Sequence, residues 1–247
     1  MDMQLYVMGV AFFLVALLYA SVGHAGATGY LAVMALIGIQ PALMKPTALL
    51  LNIVVASIAT YKYYRNDAIT LRLFIPLIVL SIPCAYLGGR INLPPDFYKP
   101  LVGLFLLYAA YKVFSTAKQS ADYPIRGAKW PVLCIVGAGL GFLSGLTGVG
   151  GGVFLSPIML VMRWAPIRTI SGTAASFILV NSVSAFAGLH SSTPQTLDGM
   201  GWWIFAVIIG GYLGAEFGSH RFSPPTIQKL LAGTLLIAGI KLVLSVL

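Results

Sequence analysis

Polar positions in this chain are confined to short gaps between apolar blocks that are too long to be elements of a soluble core. Met3 to Met44 contains no Asp, Glu, Lys or Arg, and Trp130 to Met162 and Thr169 to Leu197 are equally uncharged. About 20 residues of helix cross roughly 30 Å of hydrocarbon, so the first block predicts two segments. The whole pattern predicts ten, with cores near 3–23, 25–40, 44–61, 70–89, 97–114, 131–148, 150–164, 169–189, 201–218 and 226–246. Backbone polar groups in lipid must find partners within their own helix or in a closed barrel, and the short alternating strands of a barrel are absent from the pattern. The expected fold class is all-α, a polytopic membrane protein.

Composition agrees, with 59% hydrophobic and only 9% charged residues and a mean hydropathy of +0.92. The chain opens on Asp2 rather than a basic cluster, and its first apolar run continues past any plausible cleavage point, so the first helix is expected to be retained. Cys84 and Cys134 both fall inside apolar segments, where a thiol behaves as a small hydrophobe, and neither a disulfide nor a metal pair is expected.

A net charge of +9 raises the question of nucleic acid, but the 15 basic residues lie mostly between apolar segments, which points to membrane topology instead. With the loop after the third segment cytoplasmic, that side collects Lys62, Arg65, Arg72, Lys112, Lys118, Arg126, Lys129, Arg163, Arg168, Arg221 and Lys229. The opposite side holds Lys45, Arg90 and Lys99, and Lys241 falls within the last segment. Positive charge inside then places both termini outside the cytoplasm. An eight-segment count would put the Lys- and Arg-free stretch His190 to Gly201 inside and is disfavoured.

Internal symmetry adds a further constraint. Gly23-His24-Ala25-Gly26-Ala27, Pro41 and Thr47-Ala48 in the first half are matched by Gly148-Val149-Gly150-Gly151-Gly152, Pro166 and Thr173-Ala174 in the second. Tyr86-Leu87-Gly88 matches Tyr212-Leu213-Gly214, and Pro94-Pro95 with Lys99 and Gly103 matches Pro224-Pro225 with Lys229 and Gly233. Two copies are expected in a single transporter domain, repeat 1 over 1–114 and repeat 2 over 130–247, joined by a polar linker at 115–129. Five segments per copy is an odd number, so the second copy enters the membrane from the opposite side. Inverted repeats of this kind recur in secondary transporters, with the solute site near the midplane where the copies meet.

The pointer to that site is the short second segment of each copy, opened by glycines and short enough to span only half the bilayer. A helix that restarts after unwound glycine backbone presents free N–H groups and a partial positive charge to a small anion. Gly23, Gly26, Gly148, Gly150, Gly151 and Gly152 are therefore candidate substrate-binding positions. Close helix packing is the competing reading of any glycine, and Gly137, Gly139, Gly141 and Gly145 are assigned to it. Ser21, His24 and Thr28 flank the first cluster, and Ser144 and Thr147 flank the second. The hydroxyls also suit bonds to their own backbone, whereas His24 is ionisable and sits deep in an uncharged stretch. Asn52 and Asn181 follow in the next helices, where each amide could donate to an anion or to a neighbouring helix. Thr47 and Thr173 read as helix caps.

The run Gly148-Val149-Gly150-Gly151-Gly152-Val153-Phe154-Leu155-Ser156-Pro157, followed by Ala165-Pro166 and Gly172-Thr173, resembles the repeated signature of the sulfite exporter TauE/SafE permeases. The resemblance extends over nearly the whole chain through its length and paired motifs. It implies movement of small sulfur-containing anions, such as sulfite or an organosulfonate, across the cytoplasmic (inner) membrane of a prokaryote. The first copy departs from the pattern, with Gly23-His24-Ala25-Gly26-Ala27 where a run richer in glycine is usual and Lys45-Pro46-Thr47 where Gly-Thr is usual.

No Gly-x-x-x-x-Gly-Lys-Ser/Thr loop occurs, so ATP binding is not expected and transport is gradient-driven or passive, with His24 the candidate for carrying a proton. No cofactor is expected. Ser144-Gly145 with a distant His190 superficially suggests a membrane hydrolase, but six acidic residues form no catalytic or metal-ligating pattern. The expected partners are a small anionic solute and membrane lipid, with no nucleic acid. A homo-oligomer and a non-transporting accessory subunit both remain compatible with the sequence.

Overall fold

A computed structural model describes residues 3–21, 23–116, 124–189, 199–220, 235–237 and 239–244. Within them run α1 (Met3–Ala20), α2 (Ala27–Ile37), α3 (Pro41–Arg65), α4 (Leu71–Arg90), α5 (Pro95–Thr116), α6 (Trp130–Thr147), α7 (Gly152–Val161), α8 (Ile167–Gly188) and α9 (Met200–His220), and no strand. Each falls on one of the first nine expected segments. The tenth expected segment is described only at 235–237 and 239–244, which are helical, and the rest of it lies outside the described residues, as do linker positions 117–123 and His190. Helices α3, α4, α6, α8 and α9 are long and apolar enough to cross a bilayer. At 11 and 10 residues, α2 and α7 reach only about 16 and 15 Å, half of the hydrocarbon layer.

Helix α3 starts earlier than the apolar pattern suggests. Pro41 takes a first-turn position, where its missing N–H and fixed φ cost nothing, and the helix runs on through Pro46. Lys45, inside the expected third segment, is a buried helical residue, 6% exposed. Thr47 and Thr173, read as caps, are corrected. They lie beyond the first turns of α3 and α8, whose caps are Gln40 and Pro166, and both hydroxyls are buried without a partner.

The helices interlock across the two halves of the chain. Helix α4 packs on α6 and α8, α9 packs on α1 and α3, and α3 packs on α8, while α2 leans on α3 and α7 on α8. Glycine makes these crossings close. Gly137, Gly141 and Gly145 line one face of α6, and a Cβ on any of them would collide with the carbonyl oxygens of Leu77, Ser81 and Ala85 in turn. Gly139 points elsewhere and has open space around it, so its expected packing role is corrected. The same device recurs where Gly88 meets the Phe142 carbonyl and where Gly214 meets the Leu17 carbonyl. Those two contacts occupy matched places in the two halves, 126 residues apart on one side and 125 on the other.

Helices α3 and α8 form the centre, with 61% and 67% of their apolar windows buried, against 28% for α4. At the far end of α3, Lys62 forms an ion pair with Glu216 of α9 and lies 4.1 Å above the ring of Tyr212. Near the start of α9, Trp203 Nε1 donates to the carbonyl of Leu5 at 3.1 Å, tying α9 to α1.

Candidate functional site

The ends of α1 and α6 are followed by glycine turns built in the same way. Gly23 and Gly148 adopt φ of 76° and 80°, and Gly26 and Gly151 adopt 100° and 76°. Each pair is 125 residues apart. A side chain in this left-handed region costs roughly 1–2 kcal/mol, so glycine is what allows the chain to reverse and restart. Gly26 and Gly151 are the N-caps of α2 and α7, and neither helix start has a side-chain cap. The first N–H groups of both helices are thus left to whatever occupies the space before them.

These turns are held by the helices of the opposite half. A Cβ on Gly23 would lie 2.5 Å from the Ser171 carbonyl oxygen of α8, and one on Gly148 would lie 3.2 Å from the Lys45 carbonyl oxygen of α3. His24 connects them, its Nε2 standing 3.2 Å from the Gly152 carbonyl oxygen and 3.2 Å from Ser156 Oγ. A carbonyl only accepts, so the bond to Gly152 assigns the proton to Nε2. Asn52 flanks the second turn. A Cβ on Gly150 would meet its Nδ2 at 2.7 Å, and Nδ2 donates over a long 3.5 Å to Ser182 Oγ. Gly151 faces Phe177 and Ser144, and Gly152 packs against Ile178.

The remaining expected residues divide by what they bond. Ser21 donates to the Leu18 carbonyl at 2.7 Å and Thr28 to the Tyr19 hydroxyl at 3.0 Å. Thr147 donates to the Leu143 carbonyl at 2.7 Å and accepts from the Val149 N–H at 3.3 Å. Asn181 Nδ2 donates to the Phe177 carbonyl at 2.8 Å. By contrast Ser144 Oγ, Asn52 Oδ1 and Asn181 Oδ1 are buried with no hydrogen-bond partner. Buried polar groups are rarely left so, and each marks a place where a further polar group would be stabilised.

Sequence reasoning missed Ser156, Ser182, Tyr30 and Lys45. Tyr30 lies four residues after Gly26 and Ser156 five after Gly151, about one helical turn into α2 and α7, and that spacing was the available signal. The Tyr30 hydroxyl is buried and unpartnered, at 3.0 Å from where a Cβ on Gly26 would stand. Among the described residues the carboxylates are Asp67, Asp96 and Glu216, and none is at the glycine turns. Lys45 is the cation beside the second turn. The positions therefore combine two uncapped helix starts, unpartnered hydroxyl groups and no negative charge, an arrangement suited to a small anion.

The family model described as sulfite exporter TauE/SafE matches residues 8–242. The chain is 38% identical over 245 residues to the probable membrane transporter protein y4hK of Sinorhizobium fredii, covering 98% of this chain and 99% of that one. It is 26% identical over 265 residues to the probable membrane transporter protein YjnA of Bacillus subtilis, covering 98% and 100%. A probable membrane transporter protein of Methanocaldococcus jannaschii, MJ0441, is 21% identical over 210 residues, covering 80% and 78%. No solved structure matches. With nearly its full length matched by one family model and by a relative of the same size, the chain belongs to the sulfite exporter TauE/SafE family.

Proposed function

We propose that this membrane permease moves small sulfur-containing anions, such as sulfite or an organosulfonate, through a site where α2 and α7 begin. The observation that carries the reading is the pair of uncapped, glycine-opened helix starts bridged by His24. Each start contributes about half a positive elementary charge and several unsatisfied N–H groups. Ser144 and Tyr30 add unpartnered buried hydroxyls at the same turns. The relatives named as probable membrane transporters support the permease class, and the family description supports the sulfur anion. Gly23, Gly26, Gly148, Gly150, Gly151 and Gly152 shape the path of the backbone, and Ser21, Thr28, Thr147 and Asn181 brace it.

The same reading takes the chain as two inverted copies, 1–114 and 130–247, joined at 115–129. The matched glycine geometry and the matched packing of α4 on α6 and α9 on α1 support it. It places the protein in the inner membrane of a prokaryote with both termini outside the cytoplasm, on the strength of the basic loops. The proposal has no catalytic step.

The test is flux in proteoliposomes containing the purified protein, with sulfite, sulfate, thiosulfate and a small sulfonate, with and without a proton gradient. Gly151→Leu is the paired variant, since a side chain there meets Phe177 at 2.9 Å in a left-handed conformation. Selective anion flux that the variant loses supports the site. Folded protein that carries none of the four anions refutes the assignment and leaves an accessory subunit as the better reading.

A further inference from the structure

Lys45 is 6% exposed and has no acidic partner among the described residues. Its ammonium donates to the carbonyls of Gly88, Gly89 and Ile91 at 3.3, 3.0 and 3.1 Å, at the C-terminal end of α4. These dipoles satisfy its three N–H bonds but do not cancel a formal charge. Among the described residues, Lys62 with Glu216 is the one ion pair between side chains, so no described carboxylate balances the charge on Lys45. An unbalanced charge buried in a membrane domain is costly, and its persistence asks for a counter-charge.

Its position suits that role. The Lys45 backbone and side-chain stem lie against Gly148, at 3.2–3.3 Å from where its Cβ would be. Asn52 is seven residues further along α3, two turns and about 10 Å away on the same face. The matched residue of the second half, Ser171, occupies the corresponding place against Gly23 and is uncharged. The site therefore carries one fixed cation on one side only.

We propose that Lys45 is the residue that makes this site discriminate among solutes by their negative charge, an inference that rests on the anion-permease reading. At about 10 Å and an effective dielectric constant near 20, one fixed charge changes affinity about tenfold per unit charge on the solute. Lys45 does not touch the anion. It acts through the field it sets at the glycine turns, while it also holds the end of α4.

The experiment separates those two roles by varying solute charge at nearly constant size. Dimethyl sulfone, methanesulfonate and sulfate compete against sulfite flux in proteoliposomes containing the full chain, either wild type, Lys45→Gln or Lys45→Arg. In the wild type the half-inhibiting concentration should fall more than tenfold with each added charge, from Lys45 and the two helix starts together. Lys45→Gln keeps two N–H donors for the α4 carbonyls but loses the charge, and the step per charge should shrink about tenfold to what the helix starts alone supply, while Lys45→Arg restores the wild-type step. Should Lys45→Gln fail to fold, the wild-type series still decides, because equal inhibition by all three solutes overturns the proposal. A Lys45→Gln protein that keeps the wild-type gradient, or that loses only maximal rate, shows a structural lysine and overturns it as well. Absence of sulfite flux in the wild type is a different result, which defeats the permease assignment itself.

Discussion

His24 is the one ionisable side chain that joins the two glycine turns, reaching Gly152 and Ser156 across 128 and 132 residues of sequence. Replacing it by Leu removes the bridge while keeping an apolar volume, and we expect flux to fall at least tenfold with the helical content intact by circular dichroism. Retained flux would reduce His24 to packing. The sequence made His24 and the glycines legible, because an ionisable group in an uncharged stretch and matched glycines are both rare. It did not make Ser156 or Ser182 legible, since their role depends on which helices meet. Lys45 was read only as a charge on the side opposite the basic loops, because its carbonyl partners at the end of α4 depend on how the helices meet.

Helix α6 carries two kinds of glycine, and they should respond differently to substitution. Gly141→Val forces a branched side chain against the Ser81 backbone, and we expect the thermal unfolding temperature in detergent to drop by several degrees or the protein not to accumulate. Gly139→Ala enters open space in a helix interior and should leave that temperature unchanged or raise it, because alanine is the better helix former. A comparable loss from both variants would argue that α6 does not meet α4 as described. The Lys62–Glu216 pair belongs to the ends of α3 and α9 and is partly open, with side-chain exposures of 18% and 44%. Glu216→Gln should therefore leave the unfolding temperature nearly unchanged in the same assay. Element positions were legible from the apolar blocks, whereas the partner of each helix was not, because lipid-facing and protein-facing surfaces are equally apolar.

For the whole molecule, the distribution of Lys and Arg was the only orientation signal in the chain, and the proposed topology can be checked directly. With Cys84 and Cys134 replaced, single cysteines at Asn66 and Asn92 should lie on opposite sides of the membrane. A membrane-impermeant maleimide added to intact cells should label position 92 and spare position 66. The reverse pattern would invert the proposed orientation, and labelling of both would contradict the crossing by α4.

The pairing of α1 with α9 also bears on how the protein is made. Leu5 meets Trp203 across 198 residues, so at about 5–20 residues per second α1 resides in the membrane for roughly 10–40 s before its partner is synthesised. Helix α1 is uncharged and tolerates that wait in lipid, while the glycine turn that opens α2 meets its partners Gly152, Ser156 and Ser171 only once α7 and α8 are made. A ribosome that stalls before α9 therefore releases a polypeptide in which α1 lacks the helix it packs on, the form that membrane proteases are best placed to remove.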